Sequence, residues 1–295
     1  MLAELLAELS SEGVDLTRLG FADADLDQIL AGFAPAADPD EAPPLPEGEP
    51  VSKPGEIYQL RGGHRVACGD CRDRELMAEL MEGRQADLYW SDPPWGVGYV
   101  GKTQAALRIE NDDDVAAGLL ELLTEGFTVA GELLAPAAPF YVAAPSGPRG
   151  TEFRLALRAA GWRHRQTLTW VKNAPTLGRS HYQHRCESIL FGVTAADRPG
   201  GGGSRWYGGR DQADVFFVDR PVQSAQHPTM KPVALVAAML RNSSRRGEVV
   251  LDPFLGAGAT LLAAEQLGRV CYGAELDPRY VDVVRRRFEE FGRAA

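Results

Sequence analysis

From Ile57 onward the apolar residues fall into two alternating rhythms. Short apolar runs predict strands at 86–91, 139–144, 166–171, 189–193, 215–218, 249–251 and 270–274. Segments with apolar residues every three to four positions predict helices at 75–81, 115–134, 152–160, 233–242, 260–267 and 278–291. The last carries an apolar stripe at Tyr280, Val284, Phe288 and Phe291. Strands alternating with helices predict the α/β class, with a doubly wound, mostly parallel sheet. Ahead of this body, residues 2–9 and 25–33 read as two short amphipathic helices. The stretch 34–54, rich in Pro, Ala, Asp and Glu, reads as an extended, poorly packed linker. The expected division is therefore an appendage plus linker at 1–54 and one catalytic domain at 55–295. Between 173 and 226 the rhythm breaks into Arg, His, aromatic and Gly residues, and this stretch is expected to be an inserted recognition region. There is no internal repeat.

Charge sharpens that division. The net charge is -10, but residues 1–50 hold 12 of the 41 acids and one base, Arg18, a contribution of -11. The remainder sets 30 bases against 29 acids, so the body is neutral and the first segment acidic. An acidic segment poor in aromatics is expected to be solvated or docked on a partner rather than catalytic. Glu4 and Glu8 occupy the place of a signal peptide's basic and apolar regions, and no apolar run is long enough for a membrane span, so a soluble cytoplasmic protein near the nucleoid is expected. Four scattered cysteines fit a reducing compartment. Cys68 and Cys71 have CxxC spacing, but a tetrahedral zinc needs two further ligands and no second pair follows, so no metal is expected.

Two turns carry candidate chemistry. After the strand 249–251 comes Asp252-Pro253-Phe254-Leu255-Gly256-Ala257-Gly258-Ala259-Thr260, leading into a helix. Glycines past a strand let the backbone turn tightly toward a ligand, and the helix start offers free N–H groups. Glu275 closes the next strand, where an acid can accept from both hydroxyls of a ribose. A dinucleotide is one reading of this pattern. However, the third glycine of dinucleotide folds is missing, and Asp252 would repel a pyrophosphate while suiting a cationic ligand such as the methionine portion of S-adenosylmethionine.

The second turn, Asp92-Pro93-Pro94-Trp95, follows the strand 86–91. Two prolines fix the backbone and remove two N–H donors, leaving a rigid acceptor surface. Asp92 and the carbonyl of Pro93 are suited to accept both hydrogens of an exocyclic NH₂, and Trp95 is suited to stack on an extruded base. Such an amine attacks directly, so no covalent nucleophile is needed. Carbon-5 methylation of cytosine would call for a cysteine after a proline, which this chain lacks. A plain structural turn remains the bland reading of each motif taken alone.

With these residues in view, the chain resembles the β-class DNA amino-methyltransferases, in which a DPP(Y/W) motif precedes an FxGxG motif. Asp92 to Trp95 matches the first and Phe254 to Gly258 the second, with the likeness running over 57–291. The resemblance implies S-adenosylmethionine as cofactor, double-stranded DNA as partner, and a circularly permuted Rossmann-like fold. It implies cofactor roles for Asp70, Thr229, Lys231, Asp252, Phe254, Gly256, Gly258, Thr260 and Glu275, Asp70 lying near the adenine and His227-Pro228-Thr229-Met230-Lys231-Pro232 on the carboxylate side. It places Trp170, Lys172 and Asn173 near the target base. The broken stretch adds Arg179, His181, Tyr182, Arg185, Arg205 and Trp206, with His184, Tyr207 and Arg210, as candidates for DNA contact. The likeness is strongest to methylases that follow a ParB-like nuclease domain, with 1–33 similar to the connector; a homodimer and a nuclease or ParB-like partner are within its scope. Members with Asp at the first motif position more often modify adenine N6, those with Ser cytosine N4, so Asp92 favours adenine and Trp95 leaves cytosine open. The same chemistry on RNA or a protein amide, a dinucleotide-dependent oxidoreductase and a DNA-binding pseudoenzyme are the competing readings.

Overall fold

In a computed structural model the protein is described over residues 38–96, 116–176, 181–194, 205–221 and 230–294. The helices expected at 2–9 and 25–33, the glycine run 200–203, and Arg179, His227 and Thr229 lie outside the described residues.

One nine-stranded sheet organises the chain. Its strands are β1 (Ile57–Gln59), β2 (Arg65–Cys68), β3 (Leu88–Ser91), β4 (Pro139–Ala144), β5 (Arg163–Thr176), β6 (His184–Val193), β7 (Val215–Phe217), β8 (Val249–Asp252) and β9 (Val270–Glu275). They lie in the order β1-β2-β9-β8-β3-β4-β6-β5-β7. From β2 to β4 every pairing is parallel, whereas β1 and β6 run against their neighbours. The helices are α1 (Arg74–Met81), α2 (Ala116–Leu133), α3 (Gly150–Ala159), α4 (Val233–Ser243), α5 (Ala259–Gln266) and α6 (Pro278–Ala294). Local chemistry sets their ends: Asp73 caps α1 by accepting from the N–H groups of Glu75 and Leu76, and Gly258, at φ +85°, lets the chain enter α5.

Strand alternation sends side chains to two cores, as a doubly wound sheet requires. Leu88 and Trp90 pack under α4, α5 and α6, while Tyr89 points to the other face with α1, α2 and α3. Each large side chain buried this way contributes about 1.5–3 kcal/mol. The apolar stripe of α6 runs through Val281, Val284, Phe288 and Phe291, with Tyr280 only half-buried beside it.

Three expectations change. The strands β1 and β2, where Gln59 and Arg65 interrupt any apolar run and no strand is predicted, extend the sheet beyond β9. The stretch 173–226 is not wholly an insertion, because β6 and β7 lie in it and Ile189 and Leu190 of β6 are fully buried. The linker, described from residue 38, is docked rather than loosely packed: Ser52 is buried, and its N–H and hydroxyl both reach Asp282 of α6. Composition missed this because the docking uses backbone groups met by side chains 230 residues later in the chain.

Candidate active site

Parallel strands bring their carboxyl ends to one edge, where open α/β sheets hold ligands. Here that edge carries Cys68, Glu275, Asp252, Ser91 and Ala144, the last residues of β2, β9, β8, β3 and β4. Both predicted turns leave from it. The Asp92 turn follows β3 and the glycine turn follows β8, neighbouring strands in the sheet.

A single carboxylate joins the two turns. Asp252, 2% exposed, accepts from the Ser91 hydroxyl at 3.2 Å, the Phe254 N–H at 3.1 Å and the Thr260 hydroxyl at 2.6 Å. Burial pushes its carboxyl up to about 7 against these hydrogen bonds. Both Asp252 and Thr260 are thereby engaged inside the protein, tying strand end to helix start. Glu275 braces the glycine turn from the next strand, accepting from Gly256 N–H at 2.8 Å and Asp277 N–H at 3.0 Å. Burial also pushes Glu275 up to about 7. Gly256 has φ +54° and open space where a side chain would begin, so a ligand can approach its backbone closely. Phe254 packs its ring toward Gly126 of α2, and Asp70, one residue past Gly69 whose N–H meets the Glu275 carbonyl, is held by the Arg72 guanidinium. That pairing lowers the Asp70 carboxyl below its ordinary range.

The Asp92 turn faces an alternating row of buried charges. Lys231 donates to Asp92 Oδ2 at 2.5 Å and lies 3.4 Å from Glu187, which also pairs with Lys172. Burial raises the Asp92 carboxyl, with Lys231 offsetting part of the effect. Burial would raise Glu187 too, but Lys231 and Lys172 together hold it below the ordinary range. Lys231 resists the opposite push of burial because two acids face it, and it keeps its proton. Its ammonium also sits 5.1 Å from the centre of the half-buried Trp95 ring. Lys231, expected on the cofactor side, thus stands against Asp92. Glu187 was not singled out in the sequence. The available signal was an acid in register with Ile189 and Phe191, on the face of β6 that turns toward the core.

The DNA candidates separate into three groups. The far ends of β5 and β6 extend past the carboxyl edge and carry Asn173, His184 and Arg185, with His181 and Tyr182 in the turn between, Tyr182 being 90% exposed. Arg185 donates to the Lys172 carbonyl at 3.0 Å, and Asn173 accepts from Ala174 N–H at 3.0 Å. Trp170 is instead a core residue, 2% exposed with its indole N–H on the Val218 carbonyl, and so cannot stack on a base from this position. Arg205 pairs with Asp87 at 2.8 Å and Glu248 at 3.5 Å, residues that precede β3 and β8. It lies at the opposite end of the sheet from Asp92, as does Trp206, which packs near Phe191 next to the Tyr207–Asn242 backbone bond. Neither shares a surface with the turns. Cys68 and Cys71 are buried thiols that burial raises to about 11 and about 12, and among the described residues no group of three or more His, Cys, Asp or Glu could hold a metal. No helix among them is long and apolar enough to cross a membrane.

Comparison with known proteins follows the same lines. Residues 86–286 match a family model described as DNA methylase, and residues 1–54 match one described as a ParB-methyltransferase HTH domain. The chain is 25% identical over 234 residues to Type II methyltransferase M2.DpnII of Streptococcus pneumoniae, covering 71% of this chain and 84% of that one. It is 30% identical over 160 residues to M.XycI of Xanthomonas campestris pv. cyanopsidis, a match spanning 49% of this chain and 51% of that relative. In fold it is similar to the M1.HpyAVI–SAM complex, at TM-score 0.57 and 20% identity over 76% of this chain and 98% of that one. It is likewise similar to the cytosine-N4-specific PvuII DNA methyltransferase, at TM-score 0.58 and 15% identity over 83% and 95% of the two chains. The family match begins at Ala86, ahead of β3, and ends at Arg286 inside α6, so it takes in both turns and the acid that ties them; the chain belongs to the DNA methylase family of N6 and N4 amino-methyltransferases.

Proposed function

We propose that this protein transfers a methyl group from S-adenosylmethionine to the N6 amine of an adenine extruded from duplex DNA. The observation that carries the reading is Asp92, fixed by Lys231 at the carboxyl edge one strand away from the glycine turn. The residues fit this cofactor. Open space at Gly256 admits a ligand, and Glu275 has acceptor capacity left for ribose hydroxyls. Two carboxyl groups, Asp92 and Glu275, flank the edge with Asp252 buried behind them, which suits a sulfonium cation and opposes a pyrophosphate. Thr260 turns its hydroxyl to Asp252, as a dinucleotide phosphate site would not require.

When bound, the cofactor supplies a methyl group on a positively charged sulfur. The chain's own task is to hold the amine. Lys231 takes Asp92 Oδ2, and the other carboxylate oxygen, with the Pro93 carbonyl, accepts the two amine hydrogens and draws the nitrogen lone pair out of the ring's plane. Pro93 and Pro94 offer no N–H to compete. The row Asp92, Lys231, Glu187 and Lys172 balances two acids with two bases, and Lys231 offsets part of the push of burial on the Asp92 carboxyl. The projecting β5–β6 hairpin, with Asn173, His181, Tyr182, His184 and Arg185, is placed to meet DNA. Cytosine N4 is the second reading, which Trp95 leaves open.

The test is incubation of the protein with methyl-labelled S-adenosylmethionine and mixed-sequence duplex DNA, followed by hydrolysis to nucleosides. Label in N6-methyladenine is the expected result. Label in N4-methylcytosine transfers the reading to the second base, and label in neither defeats both.

A further inference from the structure

The docked strap preceding β1 is linked to the glycine turn through α6 and to the start of α4 near Lys231. Arg287 of α6 is 3% exposed and divides its guanidinium three ways. Nη1 donates to the Ala257 carbonyl at 2.7 Å, Nε to the Glu41 carbonyl at 3.1 Å, and Nη2 to the Pro39 carbonyl. Ala257 lies between Gly256 and Gly258, the two positive-φ residues of the cofactor turn. In the same strap, Asp40 Oδ1 accepts from Val233 N–H at 2.7 Å, at the first residue of α4 and two residues after Lys231. Pro232 supplies no side-chain cap there, so Asp40 fills that role from a distant part of the chain. Farther along, Val51 and Ser52 give their N–H groups to Asp282, fastening the strap to α6 a second time. The strap, the described part of the segment matched at 1–54, is therefore fastened on both sides of the active site.

We propose that Arg287 and Asp40 are positioning residues through which the N-terminal strap sets the cofactor turn and the Lys231–Asp92 pair. Two glycines with positive φ leave the 256–258 backbone soft, and the direction of its peptide groups needs an outside tether. Arg287 supplies one by fixing the Ala257 carbonyl. Asp40 fixes the start of α4 and with it the point from which Lys231 reaches Asp92. The two anchors have different readouts. Loss of the Arg287 fork weakens cofactor binding, whereas loss of the Asp40 cap slows turnover with the cofactor still bound.

The inference rests on the reading of the glycine turn as an S-adenosylmethionine site, and the full-length protein tests the two separately. Wild type that binds no S-adenosylmethionine by calorimetry overturns that reading and this inference with it. Given wild-type binding, Arg287→Lys, which keeps charge and stem but loses the fork, is expected to raise Kd for S-adenosylmethionine about ten-fold with kcat at saturation within about three-fold of wild type. Asp40→Ala is expected to lower kcat about ten-fold with Kd unchanged, and Asp40→Asn, which keeps the acceptor oxygen, to restore it. If Arg287→Lys lowers Tm while Kd stays within two-fold of wild type, Arg287 is a stability residue alone and the inference is overturned for it. If Arg287→Lys does not fold, the Asp40 pair decides, and equal kcat in Asp40→Ala and wild type overturns the inference.

Discussion

Replacing Glu187 with glutamine removes one of two acids from a row of four buried charges and leaves Lys172 and Lys231 with Asp92 alone. Lys172 is 7% exposed and Lys231 6%, so water cannot take over from the lost carboxylate. Breaking a buried pair from one side costs about 3–5 kcal/mol. Glutamine keeps a neutral acceptor oxygen, so about 2 kcal/mol is the expected loss, or roughly 4–8 °C in Tm for a domain of this size. The catalytic effect is separate. Without Glu187, Lys231 turns wholly to Asp92 and competes with the amine for the carboxylate. If one charge-assisted hydrogen bond to the base is weakened, about 1.5–3 kcal/mol is lost in the transition state, a fall in kcat of about ten- to a hundred-fold. KM for S-adenosylmethionine should hardly move, since Glu187 has no contact with the glycine turn. Steady-state methyl transfer with both substrates saturating, alongside calorimetric melting, measures both effects. A variant with wild-type kcat and wild-type Tm refutes the reasoning, because the charge row would then support neither fold nor reaction.

Asp252→Ala removes the acceptor for Ser91, Phe254 and Thr260 together and should cost about 2–4 kcal/mol by chemical denaturation; a loss under 1 kcal/mol would show that the turns are not held by this acid. Glu275 stands at about 7, against about 4.3 for an unfolded chain, so it is protonated in the free protein below that value. Ribose hydroxyls favour its charged form, so affinity for S-adenosylmethionine should rise from pH 6 toward pH 7 and level off by pH 8, and a Kd flat over that range contradicts the assignment. Arg205→Ala should leave KM for DNA unchanged with a modest fall in Tm, because its partners Asp87 and Glu248 lie at the far end of the sheet; a several-fold rise in KM for DNA would reinstate it as a contact.

The strands β3, β4, β8 and β9 were legible because each is a run of apolar residues ended by a turn motif, and motif order carried the site. What escaped the sequence has physical causes. The resemblance puts Trp170 and Lys172, an aromatic and a basic residue, near the target base, yet strand alternation turns Trp170 inward onto the Val218 carbonyl. Arg205 and Trp206 share that composition, but nothing local tells which end of a parallel sheet a loop covers. The Asp40 and Arg287 contacts pair side chains with backbone groups across more than 190 residues, and such groups have no signature in composition.

The central claim is that Asp92, held by Lys231 beside the glycine turn, receives the target amine. Single-turnover methyl transfer to duplex DNA by wild type and Asp92→Ala, each preloaded with labelled S-adenosylmethionine at a measured occupancy, tests it most directly. Equal occupancy with transfer reduced at least a hundred-fold in the variant is the expected result. Transfer at the wild-type rate by Asp92→Ala would contradict the account.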